Sequence, residues 1–238
     1  MTDLFLKDNG GFSNYTTEHF LCFAGTLFCI ALVLYLGKTR WDEDQKVKYM
    51  TWISLAGAST QLFKVFYRWD AGIFNSTQDL PLHLCNIMAL VMPFIIWYRW
   101  RTAWAMTFFW IMAGCAQSIF TPTLTESLPN YEAIRYWMVH GVIILGALYG
   151  VVVLGFTVTW KDALKSALGL NVLAAILYPI NIALDANYMY LNAKPPGTTF
   201  YDLLGPWPGY IVALEGVIVL FFGMLLLPFY FRQRWATR

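Results

Sequence analysis

The chain has 238 residues, 58% hydrophobic and 13% charged, with a mean hydropathy of +0.52. Soluble domains carry roughly 25% charged residues, so this composition excludes an ordinary soluble domain and points to a polytopic protein of the cell membrane. The net charge of +2 comes without a basic tract, which argues against a nucleic-acid partner.

A spanning helix needs about 20 mostly apolar residues, and seven runs meet that length, which predicts an all-α, seven-helix transmembrane protein. The first covers Glu18–Leu36 and acts as its own signal, because no charged n-region, short apolar stretch and cleavage site precede it. The second, Val47–Tyr67, is the most polar, with Ser54, Ser59, Thr60, Gln61 and Lys64. The third is Leu80–Tyr98, with Pro81 expected to open its helix, where a missing N–H costs little. The fourth is Ala103–Phe120, closed by Thr121-Pro122, followed by Ala133–Phe156, Ala163–Leu184 and Pro208–Phe231. Pro93, Pro179 and Pro228 fall inside spans and are candidates for kinks. No internal repeat divides the chain, so residues 1–238 read as one domain.

Orientation follows from lysine and arginine in the short connections. One side holds Lys38, Arg40, Lys46, Lys48, Arg99, Arg101, Lys161, Lys165, Arg232, Arg234 and Arg238; the other holds Lys7, Lys64, Arg68, Arg135 and Lys194. The first set outnumbers the second by more than two to one, which predicts an outer N-terminus and a cytoplasmic C-terminus. The Arg232-Gln233-Arg234-Trp235 run reads as an interfacial anchor. The connection 185–208 carries many aromatics and two prolines before Gly197, and reads as an outer loop folded back over the helix ends.

Depth along each span then sorts the polar residues, at about 1.5 Å per residue. His19, His83, Cys85, Asn86, Gln117, His140, Asp185 and Glu215 all fall in the outer half. Polar side chains from several spans at one depth predict a shared outer cavity, since ionisable groups in hydrocarbon are costly and mark function by default. None of Cys22, Cys29, Cys85 and Cys115 has metal-ligand spacing. His19, His83 and His140 lie on different spans without a local ligand signature, so no metal and no cofactor is expected. No G-x-S-x-G elbow is present for a serine hydrolase.

A cysteine nucleophile remains. It needs a base and a group to orient that base. Cys85 has two candidate bases, His83 and His140. On a helix residues i and i+2 do not face each other, which favours His140 and turns His83 to another wall of the cavity. Glu215 or Asp185 is the expected orienting group. With Cys85 more than a turn inside the third span, the helix dipole is expected to help it little.

The run Leu80-Pro81-Leu82-His83-Leu84-Cys85 resembles the hallmark of the YwaF-like bacterial integral membrane proteins, which belong with the eukaryotic transmembrane-protein-164 acyltransferases. The similarity extends through Glu18-His19-Phe20, Thr121-Pro122, His140-Gly141, Asn187-Tyr188-Met189-Tyr190-Leu191, Lys194-Pro195-Pro196 and Asp202-Leu203-Leu204-Gly205-Pro206-Trp207-Pro208. The resemblance implies seven helices and, in the eukaryotic branch, a CoA-independent acyltransferase that moves a fatty acyl chain between phospholipids through a cysteine thioester. It implies Cys85 as nucleophile and His140 as its partner; His83, His19, Asn86, Gln117, Asp185 and Glu215 are, from their position along the spans, the candidate substrate-binding or orienting residues. One departure stands after Thr121-Pro122: Thr123 replaces an expected acidic residue, which would leave Glu126 to substitute. The alternative reading is a non-enzymatic lipid-binding receptor or transporter that uses the same cavity. A transporter would line both halves of the membrane with polar groups, and the inventory here is one-sided. On either reading the partners are membrane phospholipids.

Overall fold

The structure, a computed structural model, describes Leu6, residues 10–195 and residues 200–236. Lys7, Pro196, Gly197 and Arg238 lie outside the described residues, as do the side chains of Gln233, Arg234 and Trp235. The described chain forms seven α-helices: α1 (Thr17–Thr39), α2 (Glu43–Asp70), α3 (Leu84–Trp97), α4 (Arg101–Trp110), α5 (Tyr131–Val152), α6 (Trp160–Leu184) and α7 (Gly209–Ala236). Among the described residues there is no strand, only an isolated bridge between Gly11 and Glu126.

Four of the helices start where the sequence supplies a cap. Thr16, Asp42, Asn130 and Thr159 accept first-turn N–H groups of α1, α2, α5 and α6, and Asp42 and Thr159 complete reciprocal capping boxes with Gln45 and Asp162. These contacts satisfy donors that a helix start otherwise leaves without partners. α3 has no side-chain cap: His83 holds the N-cap position in extended backbone without a side-chain bond to the helix. The helix therefore begins at Leu84, not Leu80. Leu80–His83 is an irregular approach, in which the Leu80 N–H donates to the Tyr188 hydroxyl (3.1 Å) and the Leu82 N–H to the Leu80 carbonyl (2.8 Å).

α4 reaches its expected length only by changing type. After Trp110 it continues as a π-helical turn, Ile111–Cys115, and a 3-10 turn, Ala116–Ile119. A π turn inserts an extra residue into the helical repeat and re-aims the side chains that follow; here it lies where Cys115 turns inward.

Cross-helix contacts fix the directions. The Tyr131 hydroxyl donates to the Thr60 carbonyl near one end of α5, and the Tyr149 hydroxyl to the Lys46 carbonyl near the other (2.8 Å), so α2 and α5 are antiparallel. Met92 packs on Gly146, Thr26 on Gly141 and Gly37 on Tyr149, which sets α3 and α1 parallel to α5. Trp104 donates to the Gly146 and Ala147 carbonyls (both 3.2 Å), while Ser118 meets Tyr136 at the opposite end, so α4 runs against α5. Arg101 with Asp162 and Met106 with Ser166 align α6 with α4. Phe109–Phe222 and Phe108–Phe229 ring pairs set α7 against α4. The helices thus alternate in direction along the chain.

α5 is the buried axis, with Ala133, Val139, Ile143, Ala147 and Tyr149 inside, while α1, α6 and α7 present most of their surface outward. Small residues let neighbours approach: the indole of Trp104 lies over Gly150, and Met92 over Gly146. This small-residue packing is what membrane helices use in place of a hydrophobic driving force. Four helices, α1, α5, α6 and α7, are long and apolar enough to cross a membrane, and α3 is a shorter apolar helix.

Candidate active site

Cys85 is the second residue of α3. Its position reverses the expectation drawn from a helix starting at Leu80. The N–H groups of Leu84 and Cys85 open the helix and have no intrahelical acceptor by position. The sulfur sits within reach of the backbone N–H of Asn86 and of Cys85 itself. Its S–H donates to the Asn86 side-chain oxygen (3.6 Å). The positive end of the α3 dipole therefore falls on the thiol. His83 gives this helix start no side-chain cap.

His140 lies in the middle of α5, 6% exposed. Its Nδ1 is 2.8 Å from the Tyr136 carbonyl oxygen. A carbonyl only accepts, so Nδ1 carries the proton and Nε2 presents its lone pair. The Tyr136 ring packs on the His140 ring with centroids 4.2 Å apart. The same tyrosine couples electrostatically to Cys85, its hydroxyl donating to the Ser118 carbonyl (3.0 Å) and accepting from the Thr123 N–H (3.3 Å). Cys115, delivered by the π turn, is buried and also coupled to Cys85. Tyr136 is thus the shared neighbour of thiol and imidazole. The group that orients His140 is the Tyr136 main chain, not Glu215 or Asp185.

His83 stands outside the helix, in extended backbone at the N-cap, and meets the 185–208 connection. Its ring packs against Tyr188 (5.2 Å) and Tyr190 (5.3 Å), and its Nδ1 accepts from the Met189 N–H at 3.4 Å. These tyrosines belong to the 185–208 connection. Tyr188 is fully buried; its N–H and carbonyl bind the Asn181 side chain, and its hydroxyl donates to the Ser76 carbonyl. The Tyr210 hydroxyl donates to the Tyr190 carbonyl, and Tyr201 stands between the Tyr190 and Tyr210 rings. Burial, with Tyr190 and Tyr210 alongside, pushes the Tyr201 phenol up to about 12, so it stays a neutral hydroxyl at physiological pH.

The remaining sequence candidates do not join this cluster. His19 is buried with both ring nitrogens occupied: Nδ1 accepts from the Tyr15 N–H (2.9 Å) and Nε2 donates to the Ile119 carbonyl (3.0 Å). It ties α1 to the end of α4. The Gln117 side chain is exposed. Asp185 is the exposed, left-handed C-cap of α6, on a surface cleft with Thr77 and Asn187. Glu215 is exposed on α7 and accepts from Asn171 (3.3 Å). Glu126 accepts from the Gly10 N–H (2.9 Å) and so is engaged with the N-terminal segment, while Thr123 meets the site through its N–H. No group of three or more His, Cys, Asp or Glu side chains suited to a metal occurs among the described residues.

Two features of the site were missed in the sequence. One is Tyr136, a helical turn before His140, the spacing at which a backbone carbonyl meets a side chain four residues on. The other is an ion network beside Cys85. Asp79 binds Arg68 (2.8 Å), the Asn75 N–H (2.8 Å) and Lys64 (3.4 Å); Glu132 binds Arg135 (2.7 Å) and approaches Lys64 (3.9 Å); Arg135 donates to Gln61 (2.7 Å). Burial opposes charge on Asp79, but the Asn75 N–H, Arg68 and Lys64 outweigh it and hold the carboxyl below its usual range. In the sequence Lys64 and Gln61 stand out only as polar residues in the outer part of the second span, and Arg68 and Arg135 only as charges that bear on orientation.

An all-α fold with four helices long and apolar enough to cross a membrane, enclosing a tyrosine that neighbours both Cys85 and His140, defines a membrane protein with a buried thiol. A family model of the TMEM164 family matches residues 14–226, and the chain belongs to that family. The match includes every residue of the cluster. Comparisons with curated proteins and with solved structures returned no match.

Proposed function

We propose that the protein is a seven-pass enzyme of the cell membrane that transfers or hydrolyses the fatty acyl group of phospholipids through a thioester on Cys85. The observation that carries this reading is that one residue, Tyr136, neighbours the Cys85 thiol at the start of α3 and, through its carbonyl, holds the proton of His140 on Nδ1. Alternating helix directions support the seven-pass reading, because an odd number of crossings separates the termini, with the N-terminus outside by charge bias. α3 is short: from Cys85 to Trp97 the rise is about 18 Å. In a hydrocarbon core of about 30 Å, with Trp97, Tyr98 and Trp100 at the inner interface, Cys85 lies about 12 Å inside the outer edge of that core, so the ester carbonyl must be drawn inward from the headgroup boundary to reach it. Irregular backbone at such depth is tolerated only where protein covers it, and the 185–208 connection, as a cap, covers Leu80–His83.

The reaction follows from the residues. The Cys85 sulfur attacks the ester carbonyl carbon as its proton passes to His140 Nε2. The N–H groups at the start of α3 meet the developing oxyanion. The carbon–oxygen bond breaks, and the His140 proton leaves on the lysolipid oxygen. A second hydroxyl, from another lysolipid or from water, gives its proton to His140 and attacks the thioester, restoring the thiol. A phospholipid turnover assay on Cys85→Ala, with retained helicity as the folding control, tests the reading: activity should vanish, and unchanged turnover would refute it. A receptor or binder, the second reading, predicts lipid binding without any acyl adduct.

A further inference from the structure

The ion network beside Cys85 does not balance. Three cations, Lys64, Arg68 and Arg135, face two carboxylates, Asp79 and Glu132. Lys64 is the least committed: its side chain is 14% exposed, and its ammonium reaches its two carboxylates only at 3.4 and 3.9 Å. Next to it, Gln61 is 0% exposed. Arginine can only donate, so Gln61 turns its oxygen to Arg135, and the Nε2 amide is left buried without an acceptor. A buried donor in that state costs about 1–3 kcal/mol, so the site calls for an acceptor, and the surplus charge calls for an anion. Lys64 and Arg135 act electrostatically on both Cys85 and His83. Arg135 precedes His140 by five residues on α5, or about 7.5 Å along the axis toward the end where α3 begins.

We propose that Lys64, Arg135 and the Gln61 amide form the subsite for the phosphodiester of the glycerophospholipid substrate. This rests on the acyl-transfer reading and extends it from the reacting ester to the residues that hold the phosphate. A phosphodiester carries the single negative charge that the network lacks, and offers oxygens to Nζ of Lys64 and Nε2 of Gln61. In a glycerophospholipid the phosphate and acyl carbonyl are only a few bonds apart, which matches the short axial step from Arg135 to His140. Binding the phosphate there would hold the ester carbonyl over Cys85, and neutral lipids would lack the anchor.

The test uses the full-length chain in nanodiscs, carrying Cys85→Ala so that no turnover intrudes. Native mass spectrometry would compare retention of a phosphatidylglycerol with a diacylglycerol of the same chains. The expected preference for the phospholipid is tenfold or more, falling about tenfold in Lys64→Gln and in Gln61→Leu, the scale of one lost charged hydrogen bond. Equal retention of the two lipids, or a preference unchanged in both variants, would overturn the subsite. Displacement of the phospholipid by millimolar inorganic phosphate would make it a free-phosphate site and overturn the lipid assignment. A purely structural Gln61 predicts a Gln61→Leu protein of equal or higher melting temperature with unaltered preference. Failure of the acyl-transfer reading is separable: wild-type protein would then show the phospholipid preference with no Cys85-dependent turnover.

Discussion

The His140 ring is held in one tautomer by a single main-chain oxygen, and this gives a sharp expectation. His140→Gln should lower turnover by about 10²- to 10⁴-fold, the usual worth of a general base, while leaving phospholipid retention intact in a binding measurement. A variant that loses both would show that His140 is structural. Asp79 yields a pH expectation of the opposite kind. Its folded pKa is depressed below the ordinary 3.8. Its contribution is therefore complete above that value and is lost as the pH falls through the lower, folded one. Hydrogen exchange at the Asn75 and Leu80 amides should accelerate below about pH 4 in the wild type. Asp79→Asn should cost about 2 kcal/mol at neutral pH, from weakened bonds to Arg68 and Asn75, and should remove that acid dependence. A pH profile unaltered in the variant would show that another carboxylate governs it.

At the scale of elements, the two glycines of α5 differ in what they face. A Cβ at Gly150 would come within 2.1 Å of the Trp104 indole, whereas one at Gly146 would meet the Met92 thioether at 2.6 Å. The indole is rigid and is bonded to the Gly146 and Ala147 carbonyls; a methionine re-packs. Gly150→Ala should therefore cost about 1–3 kcal/mol as an overpacked contact, and Gly146→Ala clearly less, read as melting temperatures in detergent. Equal melting points would contradict this packing. The helices themselves were legible in the sequence because hydropathy and length define them; α1, α5, α6 and α7 appear with ends within a few residues of those expected. The start of α3 was not legible. Proline at a first helical position and proline before an extended approach look alike in sequence, and only the bond from Leu80 to Tyr188, over a hundred residues away, selects the second. That shift moved Cys85 from a place the dipole could not reach to the helix start. The π turn in α4 had no periodic signature either, and it is what brings Cys115 to the cluster.

Over the whole molecule, depth counting along the expected spans gathers the polar residues at one level, but depth alone does not bring groups together. Glu215, Gln117 and Asp185 share a depth with Cys85 and sit on outward surfaces, while His19 is spent joining α1 to α4. What selects Cys85, His140 and Tyr136 is the buried position of α5 between α3 and the end of α4, a consequence of packing that hydropathy does not encode. The thioester mechanism requires that Cys85 carry the acyl group during turnover. Intact-mass spectrometry of the wild-type protein, quenched during incubation with a phospholipid of defined acyl chains, tests it most directly. The account predicts a hydroxylamine-labile mass increase of one acyl chain that maps to Cys85 and is absent from Cys85→Ala. Phospholipid turnover with no adduct on Cys85, or an adduct on another residue that Cys85→Ala leaves intact, would contradict it.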